Sequence, residues 1–330
     1  MGKFLKCEKE NQSRHFRLEQ LAEGVYAAIH NLHTEYGWAG CNAGIVDLGD
    51  RTLVFDAFES PEAARDLRDV AESLTGRKVH AVINSHPHND HYWGNQVFGP
   101  DVDIISTTKT RELIATEGPG EVQWYRDTTQ NRLEILEAQF AEAHDEATRI
   151  HLRFLCFYYQ ALIELLPELQ IRLPNLTFTG DLTFNGPKRS AKLITFDGGH
   201  SMSDTILHIP EEGIVFMADL LFIDIHPYFP DGDPEEIQRN LAEVRKMQAK
   251  TFVPGHGPVG QTLHLDWMDE YIGTLNSLVR EAINRGVTEA EIDKIAVPRE
   301  YEHLIMPTFF PANLKFLYQK QITNGAGLVI

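Results

Sequence analysis

The chain is short of cysteine, of positive charge and of long apolar runs, and each shortage excludes something. The three cysteines, Cys7, Cys41 and Cys156, are odd in number, widely spaced and outside any CxxC pattern. Neither a disulfide framework nor a cysteine-rich structural zinc site is therefore expected. Lysine and arginine together number 30 against 48 aspartates and glutamates, a formal net charge of −18. That balance opposes counterion-driven binding to nucleic acid or to an anionic membrane surface. No stretch reaches the roughly 18 consecutive apolar residues of a membrane span. The opening Met1-Gly2-Lys3-Phe4-Leu5-Lys6 also lacks the apolar core of a signal peptide. Together these features predict a cytoplasmic protein with a small-molecule partner, no nucleic acid and no membrane.

Repeats and low-complexity linkers are missing too, and what remains is a globular sequence. Its 330 residues are 42% hydrophobic and 24% charged, enough to bury a sizeable core. From Gly24 to Phe55 the sequence reads as short strands, of which Ala43 to Leu48 and Thr52 to Phe55, separated by Gly49-Asp50, make a β-hairpin. Ser60-Pro61-Glu62 opens a helix whose Ala63, Ala64, Leu67, Val70, Ala71 and Leu74 share one face, closed by Gly76. Strands are predicted at Val79 to Ile83 and Val102 to Ser106, and apolar residues then recur at helical spacing through a helical insertion, 107–171. Strand patterns return at Leu176 to Phe178, Lys192 to Phe196, Asp204 to Ile209, Gly213 to Met217 and Thr251 to Val253, with a helix near Pro234 to Ala249. A C-terminal helical extension, 261–330, completes a chain in which nothing marks a clean domain boundary, so one domain over 1–330 is expected. The exposed apolar faces of these helices would be buried in a homodimer.

The densest chemical signal is Ser85-His86-Pro87-His88-Asn89-Asp90-His91, three imidazoles and a carboxylate directly after an apolar strand. Leaving such a group of polar side chains unsatisfied would cost several kcal/mol, and a divalent cation satisfies them together. His86 and His88 lie two apart and can face one point, while Asp90 and His91 can face another, so the alternation suggests two metals. Three further residues follow strands: His200 in Asp197-Gly198-Gly199-His200-Ser201-Met202-Ser203-Asp204, Asp219 in Ala218-Asp219-Leu220, and His256 in Val253-Pro254-Gly255-His256-Gly257-Pro258. Glycines beside His200 and His256 let the backbone approach closely.

These four segments, HxHxDH, GGHSxSD, the Asp of MADLLF and VPGHGPVG, resemble in type and order the metallo-β-lactamase superfamily in its glyoxalase II-like arrangement, over about Val25 to Gly260. The resemblance implies an α/β fold, a four-layer αββα sandwich with the site at a sheet edge. It further implies a binuclear centre in which His86, His88 and His200 hold one metal, Asp90, His91 and His256 the other, and Asp219 bridges both. Asp56 resembles the family's aspartate that orients a metal ligand, and an ordinary turn carboxylate is an equal reading. Ser203 and Asp204 read as turn residues. Imidazole and carboxylate donors suit Zn²⁺ and are compatible with Fe or Mn.

Departures narrow the reading. No cysteine occupies a ligand position, which argues against lactamase activity, and the retained His88 argues against the flavodiiron type. The expectation is a metallo-hydrolase in which a bridging hydroxide attacks a small ester, lactone, thioester or amide, with Asp90 able to relay the proton. A phosphodiesterase and a non-hydrolytic iron-dependent oxidoreductase of the same fold are the alternatives. Tyr92-Trp93 stand where small residues are usual, predicting an aromatic ring near the metals. Trp93, Tyr228, His226 and Trp38 are the candidate substrate contacts, with His33 beside Trp38 in a flap.

Overall fold

The computed structural model describes residues 13–31 and 40–326. The expected flap residues His33 and Trp38, and also Cys7, lie outside them. The chain divides into two compact units, 1–179 with 184–190 and 180–183 with 191–330.

The first unit is built on a seven-stranded sheet in sequential order, β1 (Phe16–Ala22), β2 (Val25–His30), β3 (Ala43–Asp47), β4 (Thr52–Phe55), β5 (Val79–Ile83), β6 (Asp103–Thr107) and β7 (Leu176–Phe178). Its first four strands pair antiparallel and the last four parallel. Parallel neighbours need crossover connections. Between β4 and β5 that connection is α1 (Pro61–Thr75). Ser60 caps it by accepting from the Ala63 N–H, and Gly76 ends it at φ 66°, a left-handed conformation that costs glycine little. Its apolar face buries Ala63, Leu67, Val70 and Ala71 against Ile45, Val54, Val82 and Ile104 of the sheet.

The segment expected as a helical insertion is the crossover from β6 to β7, made of α3 (Thr108–Glu142) and α4 (Glu146–Leu165). It follows the one-turn helix α2 (Asn89–Tyr92) that carries two of the candidate ligands. A side chain at Gly118 of α3 would stand 2.7 Å from the Tyr92 hydroxyl, so this glycine is what lets α3 approach α2.

The second unit holds a sheet in the order β12-β11-β10-β9-β8, with β8 (Leu182–Asn185), β9 (Ser190–Phe196), β10 (Asp204–Ile209), β11 (Ile214–Phe222) and β12 (Thr251–His256). Parallel β11 and β12 are linked through α5 (Pro234–Lys246), whose cap Asp233 accepts from the Glu235 N–H at 2.9 Å. Helices α6 (Thr262–Asn284), α7 (Glu289–Ile292) and α8 (Phe309–Ala326) follow. Among the described residues no helix is long and apolar enough to cross a membrane.

Two strands depart from expectation by existing at all. Both β1 and β8 lie at sheet edges and are mostly only partly buried or exposed, so their sequences carry no continuous apolar run. A third departure bears on the site. The strand expected to stop at Met217 continues to Phe222, and its register against β12 breaks on either side of Ala218.

Candidate metal centre

Each unit gathers its own donors. In the first, β5 delivers the chain to Ser85 and α2 turns it back, with a buried pair of amides holding the turn. Asn84 and Asn95 exchange two hydrogen bonds at 3.0 and 2.8 Å, and Asn84 also donates to the His91 carbonyl at 3.2 Å. The ring centroid of His86 lies 4.7 Å from that of His88 and 4.1 Å from that of His91, and His91 Nε2 is 3.6 Å from Asp90 Oδ2. His86 and His91 are buried, His88 and Asp90 partly so.

The tautomers are set from behind. His91 Nδ1 donates to Asp56 Oδ2 at 2.8 Å, and Asp56 Oδ1 accepts from the Ser85 N–H at 2.8 Å. His86 Nδ1 lies 2.8 Å from Ser85 Oγ. With Nδ1 donating to a carboxylate, the His91 ring directs its Nε2 lone pair elsewhere. Asp56 sits at φ 62°, a left-handed conformation that is uncommon for a residue with a side chain and that turns its carboxylate under the ring. Burial pushes the Asp56 carboxyl up, while the His91 ring and the Ser85 N–H pull against it.

In the second unit, His200 follows Gly199, whose φ of 156° allows a turn that Asp204 closes by accepting from Ser201 Oγ at 2.8 Å. His200 Nδ1 donates to the Tyr228 carbonyl at 3.1 Å. Asp219 lies within β11 rather than after it. Ala218 at φ 44° and the broken register re-aim the next side chain, as bulges do. His256 is the last residue of β12. The Nε2 atoms of His200 and His256 each lie 3.3 Å from the same oxygen, Asp219 Oδ2. A side chain at Gly255 would fall 1.8 Å from Asp219 Oδ1, so this glycine is the space in which the carboxylate sits.

This donor set fits a divalent cation. Metal–ligand bonds of about 2.0–2.1 Å at tetrahedral angles separate two ligand atoms by about 3.4 Å, the spacing found around Asp219 Oδ2. Within each unit, His86 with His88, Asp90 with His91, and His200 with Asp219 present ligand atoms within 4.8 Å of one another.

The candidate substrate contacts fare differently. Trp93 is fully buried with Tyr92, Ile114, Val122, Leu162, Leu166 and Leu169, so its ring belongs to the packing of α3 and α4 and is not a free ring beside a metal. His226 is likewise buried, with Nδ1 2.7 Å from the Tyr271 hydroxyl. Tyr228 is half-buried with its ring 5.2 Å from that of Phe309, and what it gives His200 is its carbonyl. Sequence reasoning passed over Cys41. Its fully buried thiol is hydrogen-bonded to His91, and burial pushes it well above the usual thiol range.

Comparison with known proteins agrees with the fold. A metallo-β-lactamase from Pontibacter korlensis superposes with a TM-score of 0.57 at 15% identity, covering 78% of this chain and 99% of that one. Another from Erythrobacter litoralis gives 0.56 at 16%, covering 80% and 98%. Among curated proteins, the 2,4-dinitroanisole O-demethylase subunit alpha of a Nocardioides species is 24% identical over 207 residues, 62% of this chain. The chain spans about half the length of that relative, 48% of it being matched. The sequence model of the metallo-beta-lactamase superfamily matches residues 36–256, well over half of the chain, which therefore belongs to that superfamily.

Proposed function

We propose that this superfamily member is a metal-dependent hydrolase acting on a small ester, lactone, thioester or amide. In this reading His86, His88 and His200 serve one divalent cation, Asp90, His91 and His256 a second, and Asp219 is shared. The observation that carries it is the meeting of two imidazole nitrogens on one carboxylate oxygen at 3.3 Å in the second unit. Zinc suits these donors. When bound, the cations would acidify a water molecule and polarise a carbonyl oxygen.

The protein's own groups have separate tasks. Asp56 and the Tyr228 carbonyl hold the His91 and His200 rings in the tautomer that can ligate. Asp90, with 20% of its side chain exposed, is the donor-set carboxylate best placed to pass a proton to solvent. The absence of thiolate among the donors favours hydrolysis outside the lactamase class.

Metal analysis of the purified protein, followed by a hydrolysis screen over those four substrate classes and a phosphodiester, tests the reading. Asp219→Ala and His200→Ala should lose metal and turnover together. Full turnover in metal-free protein would refute it. The named O-demethylase relative favours a second substrate class, an aryl methyl ether cleaved by water to a phenol and methanol. Including 2,4-dinitroanisole in the screen separates the two.

A further inference from the structure

Glu59 has no task in that chemistry, yet it is an acid with only 1% of its surface exposed. It lies between β4 and the cap of α1. Its Oε1 accepts from Asn89 Nδ2 at 3.2 Å and, over a longer 3.5 Å, from the Tyr158 hydroxyl of α4. That hydroxyl is itself 3.3 Å from the hydroxyl of Tyr125 on α3. Burial, with Glu59 next in importance, pushes both phenols up, so they stay neutral and can donate.

Asn89 is the first residue of α2, and its Oδ1 accepts from the Asp90 N–H at 2.9 Å. A second observation places the two acids side by side. A Cβ built on Gly40, at φ 103°, would stand 2.7 Å from Glu59 Cβ and 2.9 Å from Asp90 Cβ. A buried acid is costly unless its oxygens are bonded, so packing alone gives no reason for an acid at position 59. A hydrogen-bond acceptor for both Asn89 and Tyr158 does.

We propose that Glu59 is a positioning residue which, with Asn89 and Tyr158, ties the α3–α4 crossover to the turn bearing Asp90 and fixes where the Asp90 carboxylate is held. It thereby sets the affinity of the one cation that Asp90 serves. The inference rests on the metal-centre reading above.

The test uses the full chain, stripped of metal and titrated with Co²⁺, whose d–d absorption reports each site. Tyr158→Phe and Glu59→Leu, each of which removes the hydrogen bond, should weaken one of two cobalt sites about 10-fold and leave the other unchanged. Tyr159→Phe is the control, because that hydroxyl accepts from Arg132 at 3.2 Å, and it should change neither. In metal-free protein, amide exchange across residues 88–92 should quicken in both variants while α1 holds. Equal weakening of both sites, or wild-type affinities with wild-type exchange, overturns the proposal. If Glu59→Leu fails to fold, Tyr158→Phe decides alone. Should the wild-type protein bind no cobalt, the metal-centre reading falls, and amide exchange alone judges the brace.

Discussion

One histidine of the second unit should contribute measurably to the loss of stability in acid. His226 is 1% exposed, with Nδ1 2.7 Å from the Tyr271 hydroxyl and its ring set between Tyr271 and Phe310 at centroid distances of 5.8 and 5.7 Å. Burial, with a smaller push from His303, lowers its pKa from 6.5 to about 4. In the unfolded chain the ring titrates at its ordinary value of about 6.5. Between those two values the unfolded state binds the extra proton, so stability rises with pH there. The contribution is complete above about pH 6.5 and lost as pH falls toward 4. At 1.36 kcal/mol for each pKa unit, the difference amounts to about 3 kcal/mol in full and about 2 kcal/mol at pH 5. Urea unfolding at pH 8 and pH 5, for wild type and His226→Gln, isolates it. Glutamine can still meet Tyr271 but does not titrate, and the carboxylates common to both proteins cancel in the comparison. Wild type should lose about 2 kcal/mol more than the variant between the two pH values. Equal losses would refute the argument.

Three other outcomes follow from the same contacts. Gly255→Ala drives a methyl group to 1.8 Å from Asp219 Oδ1, so the carboxylate must move, and elemental analysis should find less bound metal than in wild type. Asp56→Asn keeps the shape under His91 and removes the charge that fixes its tautomer. Metal affinity by calorimetry should fall about 10- to 100-fold, and an unchanged value would count against that role. Ser60→Ala deletes the cap of α1 and should cost about 1 kcal/mol, seen as a lower Tm, with metal content unaffected.

The candidate donors were legible because ligand chemistry is written in side-chain identity. Imidazoles and carboxylates stand directly after strands that apolar runs announce, as with His86 after β5 and His256 at the end of β12. The groups that hold those donors were harder to read. The acceptor for His200 is the carbonyl of Tyr228, and every residue owns a carbonyl, so no sequence pattern marks it. Asp219 was placed after a strand read as ending at Met217, whereas a bulge at Ala218 lets β11 carry it inside. Glu59 and Tyr158 are 99 positions apart, and only the fold brings a buried acid to a phenol.

The aromatic pair after the HxHxDH run shows why a local departure from a motif can be misread. Tyr92-Trp93 suggested a ring beside the metals, since the pair stands directly after the HxHxDH run where small residues are usual. The apolar home of both rings comes from the crossover between β6 and β7. Ile114 and Val122 of α3, Leu162 of α4, and Leu166 and Leu169 just beyond it enclose both rings. Small residues at 92 and 93 would leave this cluster without its two largest members, and a side chain at Gly118 would collide with the Tyr92 hydroxyl at 2.7 Å. The bulky pair and the unusual glycine inside a 35-residue helix are thus two sides of one contact. Through that contact and through Glu59, the long helices hold the turn that carries Asp90 and His91. The crossover therefore acts on the geometry of the candidate centre from behind, by packing and hydrogen bonding, with no donor of its own.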